Sequence, residues 1–255
     1  MGERTVRAQI DEATGIAVVE FDHRPANFFD TDLIRRIADA YDEVGADPSC
    51  RVVVLMAGGR HFCAGADLFD NRPSNEDLKA LYEQAVRLFE VPVPVVAAVQ
   101  GRAVGGGLGL ALSADFRVAA PETQFVCNFS RLGFHHGFGL SITLPRLIGQ
   151  QRALEMLYTG GEASGERARA IGLCDRLVPV TELRAAALDF ASEIAAAGPL
   201  AVRAIRQTMR GRLADEVRAA TAIEHRAQAS LSGTEDFAEG VRAVMERRQP
   251  RFVGR

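Results

Sequence analysis

Two glycine-rich turns are the parts of this 255-residue chain whose residue types could do chemistry. One is HFCAGADL at 61–68; the other is GGGLG at 105–109, which runs on into LALSADF. In the first, Ala64, Gly65 and Ala66 keep side chains out of the way and leave backbone N–H groups open to a ligand. In the second, Gly105, Gly106 and Gly107 stand at a helix start, where N–H groups lack an intrahelical acceptor and the helix dipole adds to their pull. Glycine in a helix interior costs about 1 kcal/mol relative to alanine, so a run of them needs a reason. Close approach of a ligand to a backbone without Cβ atoms is one. Two N–H groups converging from separate turns form an oxyanion hole, which stabilises negative charge as it develops on a carbonyl oxygen.

Each turn follows an apolar run that reads as a strand, RVVVLMAG at 51–58 and PVVAAVQG at 94–101. Such uninterrupted runs predict parallel strands covered on both faces. GIAVVEFD (15–22) and DFRVAA (115–120) are further strands, TDLIRRIADAYDEVGADP is a helix capped by Asp30 or Thr31, and NEDLKALYEQAVRLFEV is another helix. The alternation is that of an α/β fold with a parallel sheet. Beyond about residue 180, four amphipathic helices follow without strands. The expected organisation is an α/β core over 1–190 and a helical C-terminal region over 191–255, whose helices cover another apolar surface, such as a neighbouring subunit.

Several function classes are excluded. Net charge is −3 and Lys79 is the only lysine, so no field recruits nucleic acid or an anionic membrane. No GxGxxG follows a strand in register and no GxxxxGK[ST] occurs, which removes nucleotide-phosphate readings. GxSxG and HExxH are absent as well, against a serine hydrolase or zinc protease. Cys50, Cys63, Cys127 and Cys174 form no CxxC pair and read as free buried thiols of a reducing compartment. No metal site is expected. The N-terminus lacks an apolar signal core and the run at 91–99 is too short to span a bilayer, so the expected location is cytoplasmic.

The order HFCAGADL, GRAVGGGLGLALSADFRVAA, TQFVCNFSRLGFHHGFGLSITLPRLIG, ALEMLYTGGEASGERARAIGLCDRLVP and TEDFAEGVRAVMERRQPRF resembles the crotonase (enoyl-CoA hydratase/isomerase) superfamily over nearly the whole chain. The resemblance implies a spiral of ββα units with a C-terminal helical region, assembled as a homotrimer or a dimer of trimers. It implies an acyl-CoA substrate whose thioester carbonyl sits between the N–H groups of Ala66 and Gly106, with coenzyme A as part of the substrate and no separate cofactor. Contacts to the CoA portion would come from Ala26, Asn27, Ala64, Gly65, Asp67, Leu68 and Gly105, with Arg247 offered to a phosphate.

The pattern breaks at its acid/base groups. Hydratases that this chain resembles carry two glutamates; the matching positions here are Gly109 and Phe129, and no glutamate occurs from 123 to 154. His135 and His136 fall in the following turn and are candidate acid/base groups. Asp70, Glu76, Asp77 and Glu83 are candidate replacement carboxylates, while His61, Asp67 and Asp115 read as structural. Phe129, Phe134 and Phe138 would line an apolar pocket. The expectation is an acyl-CoA enzyme that stabilises a thioester enolate or oxyanion without paired carboxylates, by decarboxylation or C–C cleavage. Hydration or isomerisation with substituted groups, and acyl-CoA binding without catalysis, remain alternatives.

Overall fold

The computed structural model describes residues 4–67 and 74–255. Among the described residues nine strands form two sheets: β1 (Thr5–Asp11), β2 (Ile16–Asp22), β3 (Val52–Ala57), β4 (Val95–Val99), β5 (Arg102–Val104), β6 (Phe116–Ala119), β7 (Gln124–Val126), β8 (Glu162–Ser164) and β9 (Arg176–Leu177). The larger sheet has the order β1-β2-β3-β4-β6-β9, and the smaller one β5-β7-β8. β1 and β2 make an antiparallel hairpin, and every other pairing in the larger sheet is parallel. β1 is an edge strand with mostly exposed side chains, which is why its apolar pattern is weak in the sequence.

The apolar run of β3 is explained by two cores. Val53, Leu55 and Ala57 face one of them, and Val52, Val54 and Met56 face the other. The first core lies against α1 (Thr31–Ala46), α2 (Asn75–Arg87) and α3 (Gly106–Ser113), with Ile34, Ile37 and Tyr41 of α1 fully buried. The second is closed by α7 (Leu183–Ala195), whose Leu183, Ala187, Ala191 and Ala195 recur every four residues along one face. Three shorter helices lie between: α4 (Leu140–Ile148), α5 (Gln150–Thr159) and α6 (Gly165–Ile171). The α1 cap is Asp30, which accepts from the Leu33 N–H at 2.8 Å, and α2 opens with a Ser74–Asp77 capping box.

The chain closes with α8 (Pro199–Arg210), α9 (Leu213–Leu231) and α10 (Glu235–Met245). α8 is turned inside out. Its Arg203 donates to the Cys50 carbonyl at 2.9 Å, Arg206 to Asp115 at 3.1 Å, and Arg210 to the Ser113 carbonyl at 2.8 Å. Its Leu200, Ile205 and Met209 face outward and are exposed. Asp115 also accepts from the Val95 N–H at 2.8 Å, the structural role its position suggests. All four cysteines are free and buried. Among the described residues no single helix is long and apolar enough to cross a membrane.

Candidate active site

The two glycine turns meet because the backbone ties both to β5. Residues 62–64 run beside that strand: the Cys63 N–H donates to the Arg102 carbonyl at 3.0 Å, and the Val104 N–H to the Cys63 carbonyl at 2.9 Å. β5 then feeds directly into Gly105, the cap of α3, whose φ of 55° places it in the left-handed region that favours glycine. On the other side, the Phe29 N–H donates to the Gly65 carbonyl at 3.0 Å. The N–H groups of Ala66 and Gly106 make no hydrogen bond with any described residue, and both residues line one pocket. Two unengaged N–H donors, one at the start of a buried helix, can stabilise an oxyanion.

The glycines of α3 have neighbours of their own. A Cβ at Gly106 would lie 2.2 Å from Phe29 Cζ, and one at Gly109 would lie 2.6 Å from Phe138 Cβ. Close packing by two phenylalanines therefore requires glycine here, in addition to any approach of a ligand. The two rings meet edge to face, 6.0 Å apart at 70°. Position 109, where hydratases that the sequence resembles carry a carboxylate, is filled from across the site by Phe138. Position 129, the second such place, holds a phenylalanine ring in the pocket wall.

The pocket has a volume of about 100 Å³ and is dominated by aromatic rings: Phe29, Phe129, Phe134, Phe138 and Phe237, with Leu78, Leu132 and Val104. Phe129, Phe134 and Phe138 were expected there; Phe29 and Phe237 were not. Phe237 arrives from α10 by stacking on Phe134 with centroids 4.3 Å apart, a contact between segments too distant in sequence to be read from periodicity. Tyr82 on α2 and Gln228 on α9 complete the far wall, with the Tyr82 hydroxyl donating to Gln228 Oε1 at 2.7 Å and Gln228 Nε2 donating to the His135 carbonyl at 2.9 Å. Burial raises the Tyr82 phenol above its usual range. Asn75, Asn128, Gly137 and Ser232 also line the pocket without having been singled out by the sequence, although Asn128 precedes Phe129 in the segment searched for a carboxylate. Among the described residues, the lining contains no Asp, Glu, His, Lys, Arg or Cys.

His135 and His136 stand behind this wall and do not line it. Their rings stack 4.1 Å apart, and His136 meets the back of Phe129 edge-on at 6.3 Å. His136 Nε2 is 2.8 Å from Ser141 Oγ and 3.9 Å from Glu224 Oε1. Glu224 reaches across from α9 and accepts from the N–H groups of Gly139 and Ser141 at 2.8 and 2.9 Å, so this buried carboxylate caps α4. Burial, with His135 beside it, pushes the His136 imidazole down to about 4, and burial raises the Glu224 carboxyl. Glu224 is already satisfied by its backbone donors, so its 3.9 Å approach does not offset the desolvation of His136. The neutral imidazole packs between a helix cap and an aromatic ring.

Other candidates divide by position. Ala26 accepts from the Ala64 N–H at 3.1 Å, which joins the two segments expected to meet the CoA portion. Asn27 is buried, and its side chain accepts from the His23 N–H and donates to the Gly58 and His61 carbonyls, each at 2.7 or 2.8 Å. Its side chain therefore knots three loops together and does not face a ligand. Asp67 follows the first turn and is half-buried. Leu68 and Asp70 lie outside the described residues. Glu76, Asp77 and Glu83 are not in the pocket lining, and Asp77 is held by the α2 cap. Arg247, at φ 52° just past α10, is exposed and away from the pocket lining.

Comparison with known proteins bears on what this arrangement is for. A family model described as enoyl-CoA hydratase/isomerase matches residues 11–255. The chain is 34% identical over 235 residues to crotonyl-CoA hydratase of Syntrophomonas wolfei, covering 90% of each. It is 30% identical over 263 residues to mitochondrial methylglutaconyl-CoA hydratase of Mus musculus, covering 99% of this chain and 84% of that one. The crystal structure of an enoyl-CoA hydratase/isomerase from Pseudoalteromonas atlantica T6c matches with a TM-score of 0.85 at 27% identity, over 97% of this chain and 99% of that one. A crotonase fold matched by this family model over residues 11–255 belongs to the enoyl-CoA hydratase/isomerase family, and this chain is a member of it.

Proposed function

We propose that this member of an acyl-CoA-using family stabilises a thioester enolate without a carboxylate base. The observation that carries the reading is the pocket lining: two unengaged N–H groups in a wall of aromatic rings, with no carboxylate, imidazole, amine or thiol among the described lining residues. The N–H groups of Ala66 and Gly106 would hold the thioester oxygen. Backbone around Ala26, Ala64, Gly65, Asp67, Leu68 and Gly105 would carry the CoA portion, with Asn27 holding that segment in place and Arg247 free to meet a phosphate from its exposed position.

General acid–base chemistry needs a side chain in hydrogen-bond reach of the proton that moves. Decarboxylation does not. In a malonyl-type thioester the bond between Cα and the carboxylate carbon breaks, CO₂ leaves, and its electron pair passes into the thioester enolate. Water then protonates Cα to give the saturated thioester. An apolar wall favours this step, because it desolvates the carboxylate that must be lost while the N–H pair stabilises the enolate oxygen that forms. In a β-oxo thioester water must first add to the β-carbonyl; the Cα–Cβ bond then breaks, the β-acyl fragment leaves as a carboxylic acid, and the electron pair passes into the same enolate. His135 and His136, outside the lining, take no part in this step.

The outward apolar face of α8 supports assembly through this region as a trimer or a dimer of trimers, since its arginines already hold it to its own core. The names of the relatives favour a second reading, hydration of an enoyl-CoA by substituted groups. Mass spectrometry of products from crotonyl-, malonyl-, methylmalonyl- and acetoacetyl-CoA separates the two. Conversion of a malonyl or β-oxo thioester with crotonyl-CoA untouched supports the enolate reading. Hydration of crotonyl-CoA, abolished by substituting Gly106, overturns it.

A further inference from the structure

At the oxyanion end of the pocket one polar side chain has hydrogen-bonding capacity that the chain leaves unused. The other polar groups are engaged or remote: Tyr82 and Gln228 bond each other and the His135 carbonyl, the Ser232 hydroxyl donates to the Ala229 carbonyl at 2.9 Å, and Asn75 is exposed at the first turn of α2. Asn128 is different. Its Oδ1 is 3.5 Å from the point where a Cβ on Gly105 would stand, directly beside the turn that presents the Gly106 N–H. Neither end of its carboxamide is hydrogen-bonded within the chain, and the side chain lines the pocket.

The backbone of Asn128 is fixed, which makes the vacancy a property of the side chain alone. The Leu132 N–H donates to its carbonyl at 3.2 Å, and on either side the Cys127 N–H is held by the Gly161 carbonyl and the Phe129 N–H by the Cys127 carbonyl, both at 2.9 Å. Asn128 is half-buried, and its carboxamide can offer a ligand in the pocket either a donor or an acceptor. The thioester oxygen is already met by two N–H donors. The next place along an acyl group where an oxygen can stand is the β-carbon. A half-turn of the carboxamide exchanges its oxygen and nitrogen, so the same position can present an N–H donor.

We propose that Asn128 selects acyl thioesters that carry a carbonyl oxygen on the β-carbon, by donating from Nδ2 to that oxygen. The ligand class is a 1,3-dicarbonyl thioester, whose second carbonyl is a ketone or a carboxylate. The inference rests on the acyl-thioester reading of the site. It adds to that reading a specificity residue outside the oxyanion pair, and it says which acyl groups reach the site. With no cation among the described lining residues, a carboxylate there is met by dipoles only, which leaves it poorly stabilised.

The test is calorimetric titration of the whole protein with butyryl-, acetoacetyl- and malonyl-CoA. Butyryl- and acetoacetyl-CoA differ at the β-carbon, a methylene in one and a carbonyl in the other. The wild-type protein is expected to bind acetoacetyl-CoA about tenfold more tightly than butyryl-CoA, the ratio that one hydrogen bond in an apolar site supplies. Asn128→Leu is expected to bring that ratio to about one while leaving butyryl-CoA bound. Asn128→Ala, which removes atoms and adds none, repeats the comparison if the leucine variant does not fold. Asn128→Asp distinguishes the two oxygens, because its charge weakens malonyl-CoA more than acetoacetyl-CoA. Equal wild-type affinity for butyryl- and acetoacetyl-CoA overturns the inference and leaves the thioester site standing. So does a preference that survives in both Asn128→Leu and Asn128→Ala. Failure of every thioester to bind overturns the site itself.

Discussion

Gly109 and Phe138 face each other so closely that a Cβ at 109 would stand 2.6 Å from the Cβ of Phe138. Phe138 is held at φ 62°, buried, in edge contact with Phe29. The volume that any side chain at 109 would need is thus occupied from the opposite turn. Gly109→Ala is expected to lower stability by about 1–3 kcal/mol through overpacking, and Gly109→Glu by more. Phe138→Ala introduced into Gly109→Ala should recover part of that loss, a coupling that denaturant titration of the double-mutant cycle measures. Additive losses would mean that the two residues do not share this volume.

The Tyr82 hydroxyl joins α2 to α9 through Gln228 at the far wall of the pocket. Tyr82→Phe keeps the ring and leaves Gln228 Oε1 without its donor. The expected loss is about 1–3 kcal/mol of stability, read from the urea midpoint. An unchanged midpoint would show that the bond contributes nothing to holding the two helices.

The His136 imidazole gives the fold a dependence on acid. Unfolded, it takes up a proton near 6.5; folded, burial holds it to about 4. Between those values the unfolded chain binds more protons, so stability falls as pH falls, by at most about 3 kcal/mol at 1.36 kcal/mol for each pH unit. Glu224, whose carboxyl burial raises, acts in the opposite direction. His136→Asn is therefore expected to flatten the fall in unfolding midpoint from pH 7 to pH 4. A slope as steep as that of the wild type would show that other groups cause the fall.

The outward face of α8 bears on assembly. Leu200→Glu with Ile205→Glu places two charges on the exposed apolar face and leaves Arg203, Arg206 and Arg210 in their inward contacts. Light scattering is expected to find three or six copies in the wild type and smaller species in the variant. A monomeric wild type would remove the reason offered for this helix's orientation.

Much of this was legible in the sequence because it rests on local chemistry. The apolar runs of β3 and β4, the Asp30 cap and the start of α3 at the glycines all follow from neighbours in the chain. Tying both turns to β5 depends on pairing residues 62–64 with a strand some forty positions later, which no local pattern carries; the resemblance implied that the turns share a ligand but not how they are joined. The histidine pair shows the limit. Residue type and spacing mark His135 and His136 as acid/base candidates, yet Phe129 lines the pocket and His136, in ring contact with it, does not. Nothing in a one-dimensional pattern says on which side of a phenylalanine a histidine lies. Asn128, Tyr82 and Gln228 were missed for the converse reason, since each is ordinary in its own segment and becomes informative only where three elements converge.

The proposed function requires the site to stabilise an enolate with no carboxylate or imidazole among its described lining residues. Turnover in D₂O tests it most directly, with malonyl-CoA and crotonyl-CoA as substrates and butyryl-CoA as a probe of α-proton exchange. The account expects malonyl-CoA to yield acetyl-CoA carrying one deuterium at Cα, crotonyl-CoA to remain unhydrated, and butyryl-CoA to keep its α-protons. Deuterium washed into butyryl-CoA, or 3-hydroxybutyryl-CoA formed from crotonyl-CoA, would place a working base in the pocket and contradict it.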